Sequence, residues 1–156
     1  MKQLPAGVPA PDFTLQTLDA RLFRLSEAVI ARPVVLAFYK ASCPTCQLTF
    51  PYLQRIHSQL GESAAYRILG ISQDEPAETM SFAQRFGIQF EILIDEHPYP
   101  VSSLYGLEFV PTVFIVGRDR QIQLSDYGFS KTTISEIGKP LQLFPADDGL
   151  PATRPG

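Results

Sequence analysis

Pro33-Val34-Val35-Leu36-Ala37-Phe38-Tyr39-Lys40-Ala41-Ser42-Cys43-Pro44-Thr45-Cys46 is the stretch on which the reading of this chain turns. From Val34 to Tyr39 every residue is apolar, and the run is bounded by Pro33 and Lys40. Such a run predicts a strand buried on both faces, as a parallel sheet requires. The chain's two cysteines follow it three positions apart. A structural disulfide stabilises mainly by closing a long loop of the unfolded chain, and this spacing closes almost none. Redox chemistry or metal ligation explains the pair better.

A helix is expected from about residue 43 to 60, with Phe50, Leu53, Ile56 and Leu60 at helical spacing and Gly61 as its stop. Thiolate, not thiol, attacks a disulfide, and a helix start favours a thiolate through its unpaired N–H groups and the positive end of its dipole. Cys43 occupies that start and is the expected attacking thiol, with a pKa below the free value of about 8.5. Cys46, one turn further in and more buried, is the expected resolving thiol and should stay protonated at neutral pH. Pro44 suits the first turn, where its missing N–H has no helical partner anyway. Lys40 reads as a strand-end lysine that could also add favourable charge near Cys43. His57 reads as a surface residue and His97 as a loop residue.

Outward from this centre, strands are predicted over 66–72, 90–94, 113–116 and 121–126, and helices over 77–86, 101–105 and 132–137. Gly87 is the expected stop of the 77–86 helix. Upstream, residues 4–11 form a Pro-rich lead-in and residues 12–25 a β-hairpin, after which Ser26 should cap a helix over 27–31. A domain over 1–138 is expected, followed by a Pro-rich, loosely ordered tail over 139–156. Strands alternating with helices imply βαβ units, and the terminal hairpin adds antiparallel strands to a mixed sheet. Function in such sheets gathers beyond the carboxyl ends of the parallel strands, where both the cysteine pair and the loop 73–76 fall.

The 156 residues are 45% hydrophobic and 19% charged, which suits one globular domain. A net charge of −3 offers no electrostatic case for nucleic acid. No apolar run reaches the roughly 18 residues of a membrane span. The N-terminus lacks the apolar stretch of a secretory signal, so a cytoplasmic protein is expected, or a periplasmic or secreted one if a leader was removed.

Residues 34–46 resemble the strand and active-site loop of the thioredoxin superfamily, especially its TlpA-like branch, which overlaps in sequence with the alkyl hydroperoxide reductase/thiol-specific antioxidant (AhpC/TSA) group. Pro51 matches the proline that kinks the family's active-site helix. Pro11-Asp12-Phe13-Thr14-Leu15 resembles the entry hairpin, and Ile71-Ser72-Gln73-Asp74-Glu75 the branch's strand-to-helix insertion. Residues 105–116, with Val110-Pro111-Thr112, match the stretch that carries a cis-proline opposite the active site. The resemblance spans roughly residues 10 to 137. It implies an α/β, thioredoxin-like fold: a mixed central sheet flanked by helices, with an N-terminal β-hairpin and a central strand–helix insertion. It further implies a thiol–disulfide oxidoreductase, a monomer exchanging disulfides with protein clients and recharged by an upstream thiol reductant. No cofactor is implied beyond the redox-active Cys43–Cys46 disulfide, with Pro111 catalytic and Pro44, Thr45 and Val110 in contact with the client.

The chain departs from the family in three places. Ser42 stands where tryptophan is usual, and the carboxylates that some members carry at positions 37 and 49 are replaced by Ala37 and Thr49. Such an acid is thought to help deprotonate the resolving thiol; Asp74 or Glu75 could stand in, although solvated loop carboxylates are the plainer reading.

Three alternatives stay open. A peroxiredoxin would place Pro and Thr or Ser seven and three residues before its cysteine, where Cys43 has Leu36 and Lys40, and Cys46 has Tyr39 and Cys43. A copper-binding module would need His97 or another donor folded over the pair, since two cysteines fall short of a four-ligand zinc site. A redox-inactive scaffold would have little reason to keep both cysteines, the helix proline and the Val-Pro segment.

Overall fold

The computed structural model describes residues 2–60, 65–139 and 153–154. Seven strands form one mixed sheet in the order β2-β1-β5-β4-β3-β6-β7. Its centre is β3 (Val34–Tyr39), buried at every residue as its sequence predicts. It runs parallel to β4 (Arg67–Ser72), which runs parallel to β5 (Glu91–Ile94). On its other side β3 pairs antiparallel with β6 (Thr112–Val116), which pairs antiparallel with β7 (Ile122–Tyr127). The N-terminal hairpin, β1 (Thr14–Thr17) with β2 (Leu22–Arg24), joins the far edge through β1 and β5. Each expected strand is present, with bounds shifted by a residue or two.

The helices are α1 (Leu25–Ala31), α2 (Pro44–Leu60), α3 (Pro76–Phe86), α4 (Pro100–Leu104) and α5 (Lys131–Gly138). Four ends are set locally. Pro76 and Pro100 open their helices, where a missing N–H costs nothing, and Gly87 ends α3 in the left-handed conformation at φ 64°. Ser130 caps α5 by accepting from the Thr133 N–H at 3.2 Å.

The cap of α1 differs from expectation. Ser26 is not the cap but lies inside the first turn, and Arg24 at the cap position makes no side-chain cap bond. Asp12, fourteen residues upstream, supplies the acceptor instead: its Oδ1 receives the Ser26 N–H at 2.9 Å and its Oδ2 pairs with Arg24 Nε at 3.0 Å. The hairpin brings the carboxylate there, and the positive end of the helix dipole favours it.

The expected tail over 139–156 lies almost wholly outside the described residues, as does Gly61. Where the tail is described, Thr153–Arg154 (β9) pairs antiparallel with Phe129–Ser130 (β8).

Two buried clusters lie on opposite faces of the sheet. One gathers Val35, Ala37 and Tyr39 with Cys46, Phe50, Leu53 and Ile56 of α2 and with Phe82 of α3. The other gathers Val34, Leu36 and Phe38 with Phe13, Tyr105 and Phe114. The alternation of β3 deals its side chains to the two in turn. The lead-in runs along the edge of β7, with the Gly7 N–H to Ile122 O at 2.8 Å and the Ala10 N–H to Arg120 O at 2.8 Å. Gly106, at φ 71°, lets the Lys2 backbone approach so closely that any side chain there would collide with it.

Candidate active site

The parallel strands end at Tyr39, Ser72 and Ile94, and the chain leaves each into a loop on the same edge of the sheet. The Gln73 N–H donates to Tyr39 O at 3.0 Å, and the Asp95 N–H to Ser72 O at 2.7 Å. Residues 40–43 therefore emerge beside 73–75. Asp74 Oδ2 accepts the Ala41 N–H at 2.7 Å, and the Gln47 side chain donates to Ala41 O at 2.9 Å. Both polar ends of the unit before Ser42 are thus held by side chains.

Cys43 serves as the N-cap of α2. Its carbonyl accepts the first helical bond, from the Gln47 N–H at 3.1 Å, and its Sγ accepts the Cys46 N–H at 3.2 Å. The sulfur takes the place that a serine or aspartate oxygen usually holds, so the helix directs an N–H and its positive end at the group that must become anionic. Cys43 is partly exposed, Cys46 fully buried, and both are free thiols. Burial pushes the Cys46 thiol well above its ordinary range; its contact with Cys43 pushes the same way, a backbone bond from Lys40 opposes, and the charges of Cys43 and Asp74 add.

Opposite the pair, the Val110–Pro111 peptide bond is cis, as expected, and Cys43 Sγ lies 3.5 Å from Val110 O. Pro44 is exposed at the helix start and Thr45 buried behind it. The positions without acids are both buried: Ala37 lies beneath the helix, and the Thr49 hydroxyl donates to Thr45 O at 2.8 Å.

Other sequence candidates lie elsewhere. Lys40 Nζ sits 5.6 Å over the Tyr99 ring. His57 is not a free surface residue: it is partly buried with its ring 5.9 Å from that of Phe90, and burial lowers its pKa. His97 is an exposed loop residue against Tyr99, 5.5 Å between rings. Among the described residues no three or more His, Cys, Asp or Glu side chains gather as metal ligands would. None of the helices among them is long and apolar enough to cross a membrane.

Sequence reasoning passed over two features. Phe109 and Tyr127, each about half exposed, stack at 5.0 Å and 24° beside Val110. Phe109 directly precedes Val110, which was a signal; Tyr127 comes from a strand far along the chain, which left none. Tyr39, read only as the end of the apolar run, is buried on the face that carries Cys46.

Comparison with known proteins adds four findings. The model of the AhpC/TSA family matches residues 6–125. The thiol-disulfide oxidoreductase ResA of Geobacillus thermodenitrificans is 30% identical over 118 residues, which are 75% of this chain and 66% of that one, just under two thirds of the relative's length. The peroxiredoxin Bcp of Escherichia coli K12 is 32% identical over 107 residues, 69% of this chain and 67% of that one. Among solved structures, the thioredoxin domain of a thiol-disulfide oxidoreductase from Bacteroides vulgatus superposes with a TM-score of 0.76 at 17% identity, covering 88% of this chain and 98% of that one. The fold is thioredoxin-like.

Proposed function

We propose that this chain, which belongs to the AhpC/TSA family, is a thiol–disulfide oxidoreductase that exchanges disulfides with protein clients through Cys43 and Cys46. The observation that carries the reading is the setting of Cys43 Sγ, which caps α2 through the Cys46 N–H at 3.2 Å and faces Val110 O at 3.5 Å. The Cys43 thiolate attacks one sulfur of a client disulfide, and the other client sulfur leaves as thiolate. Cys46 then attacks Cys43 Sγ, closing the Cys43–Cys46 disulfide and releasing the client's second thiol. A thiol reductant returns the pair to two thiols.

The cis peptide with half-buried Val110 beside it suits an extended client segment, and the Phe109–Tyr127 stack offers that segment an apolar flank. In a reducing cytoplasm the pair would be kept as thiols and act as a reductase. Insulin reduction with dithiothreitol as the electron source tests the reading. The protein should accelerate it, Cys43→Ser should abolish the acceleration, and Cys46→Ser should accumulate a Cys43–client adduct visible by mass spectrometry. Activity that survives Cys43→Ser would overturn the assignment.

Similarity to the peroxiredoxin Bcp favours a second reading, in which the Cys43 thiolate attacks a peroxide, becomes a sulfenic acid and condenses with Cys46. Leu36 and Lys40 stand where the peroxide-orienting Pro and Thr or Ser would be, which weighs against it. Peroxide consumption under the same reductant, measured beside insulin reduction, separates the two.

A further inference from the structure

Four residues before Cys43 the chain buries a hydroxyl for which packing supplies no reason. Tyr39 ends β3 with no exposure at all, its ring against Phe50 at 4.1 Å and Phe82 at 5.0 Å. Gly70 on the neighbouring strand leaves the ring its space: a Cβ there would lie 3.4 Å from Tyr39 Cε1 and 3.2 Å from Phe90 Cε1. The Tyr39 hydroxyl has no hydrogen-bond partner, and among the described residues it is the one buried side-chain polar atom in that condition. A buried donor left unpaired destabilises the fold, and phenylalanine would fill the same space without that penalty.

Tyr39 and Cys46 belong to the same buried cluster, and Phe50, which carries the closest ring contact, lies one turn after Cys46. Ser72, beside Tyr39 in the ladder, has its Oγ engaged with Thr79 Oγ1 at 2.7 Å and with the Asp74 N–H at 3.1 Å. The titratable groups facing this pocket are Cys43 and Cys46 at the start of α2 and Asp74 from the loop after β4; the Lys40 ammonium stands over the Tyr99 ring, and α3 and the residue before β5 offer Phe82 and Phe90. Burial raises the Tyr39 phenol far above its ordinary value; Ser72, near but outside hydrogen-bond geometry, opposes this, while Asp74 and Cys46 add to it. The hydroxyl is therefore a neutral donor throughout the working pH range.

Cys46 must ionise where its burial, Cys43 and Asp74 all disfavour negative charge. Ala37 has nothing to donate, and the Thr49 proton is already given to Thr45 O. A donor held free in the resting state is what a charge that develops only during reaction requires.

We propose that Tyr39 is a positioning residue for the second half of the reaction, its unpartnered hydroxyl held to donate to the Cys46 thiolate as that thiolate forms. For its chemistry the assignment rests on the oxidoreductase reading above. With Cys43 in a mixed disulfide, the Cys46 proton is lost to solvent, and the Tyr39 O–H turns to the sulfur. The sulfur's electron pair then forms the bond to Cys43 Sγ, and the Cys43–client bond breaks with its pair leaving on the client sulfur.

The test is Tyr39→Phe, read by stopped flow against a chromogenic aryl disulfide, which needs no protein client. One coloured thiolate is released when Cys43 attacks and one when Cys46 resolves, so a single trace reports both steps. The first phase should keep its rate. The second should slow about tenfold at neutral pH, its pH profile displaced upward by roughly one unit, the size expected for losing one hydrogen bond to a charged group. Tyr39→Leu, which also lacks the hydroxyl, should slow the second phase at least as much. A second phase unchanged in Tyr39→Phe, or both phases slowed alike, would overturn the assignment. A slowed second phase in a protein inactive on insulin would support the Tyr39 role while removing the client reading.

Discussion

Phe38 and Tyr39 are neighbours in β3, point to opposite faces of one sheet, and each seeds an aromatic cluster. Phe38 meets Tyr105 at 5.7 Å and Phe114 at 5.8 Å; Tyr39 meets Phe50 at 4.1 Å and Phe82 at 5.0 Å. As apolar packing the two faces are alike. They part in how they treat polar groups. On the Phe38 face the buried Tyr105 hydroxyl donates to Pro11 O at 2.6 Å, tying the lead-in to the core. Nearby, buried Asp95 accepts from the Val101 N–H at 3.0 Å and from the Ser102 N–H and hydroxyl, each at 2.7 Å. On the Tyr39 face a thiol is buried and a hydroxyl is left without a partner. The face that only holds the fold together satisfies its polar groups; the face beneath the reactive turn leaves one open.

Deleting an aromatic anchor tests the likeness first. Phe50→Ala and Phe114→Ala should each cost roughly 3–5 kcal/mol in urea unfolding, the range for truncating a buried ring. They should differ in thiol chemistry, Phe50→Ala disturbing the slow Cys46 phase and Phe114→Ala leaving both phases intact while the protein is folded. A Phe114→Ala protein with an equally disturbed second phase would erase the contrast.

Removing the two hydroxyls probes the difference itself. Tyr105→Phe should lose about 1–2 kcal/mol, because Pro11 O is left unpaired. Tyr39→Phe should fall within about 0.5 kcal/mol of the parent or gain stability, since no bond is broken. Equal losses in thermal or urea unfolding would show the Tyr39 hydroxyl to be satisfied after all.

The smallest effect sharpens the account of the structural face. Burial alone would raise the Asp12 carboxyl, but the Ser26 N–H and Arg24 outweigh it and hold the pKa below the ordinary carboxylate value. A carboxyl lowered on folding stabilises above its unfolded value of about 3.9, and that contribution is lost as pH falls through the folded value. Asp12→Ala should therefore cost about 1 kcal/mol near neutrality, typical of a lost helix cap. The gap to the parent should close below about pH 4 in unfolding curves taken across that range. A gap that persists in acid would mean that Asp12 acts through packing.

Local signals carried far. The run from Val34 to Tyr39 announced a doubly buried strand because a central strand covered on both faces buries every side chain. Gly87 marked the end of α3 through a backbone restriction that no tertiary contact overrides. Ser26 misled because propensity ranks it as a cap, whereas Asp12, brought across the hairpin, took the N–H group. The Phe109–Tyr127 stack was invisible for the same reason: one partner comes from the cis-proline loop and the other from the end of β7.

What the sequence determined by itself was the order of elements, the burial of β3 and the place of Cys43 at a helix start, since these follow from periodicity, backbone restrictions and spacing along the chain. Alternation also settles that Phe38 and Tyr39 face opposite ways. Only the tertiary structure decided which polar groups find partners across those faces. A hydrogen bond needs atoms within about 3.5 Å at a suitable angle, and for groups far apart in sequence that geometry exists only once the sheet and helices have packed. Tyr105 meets Pro11 across 94 residues, and Tyr39, embedded among aromatic rings, meets no one.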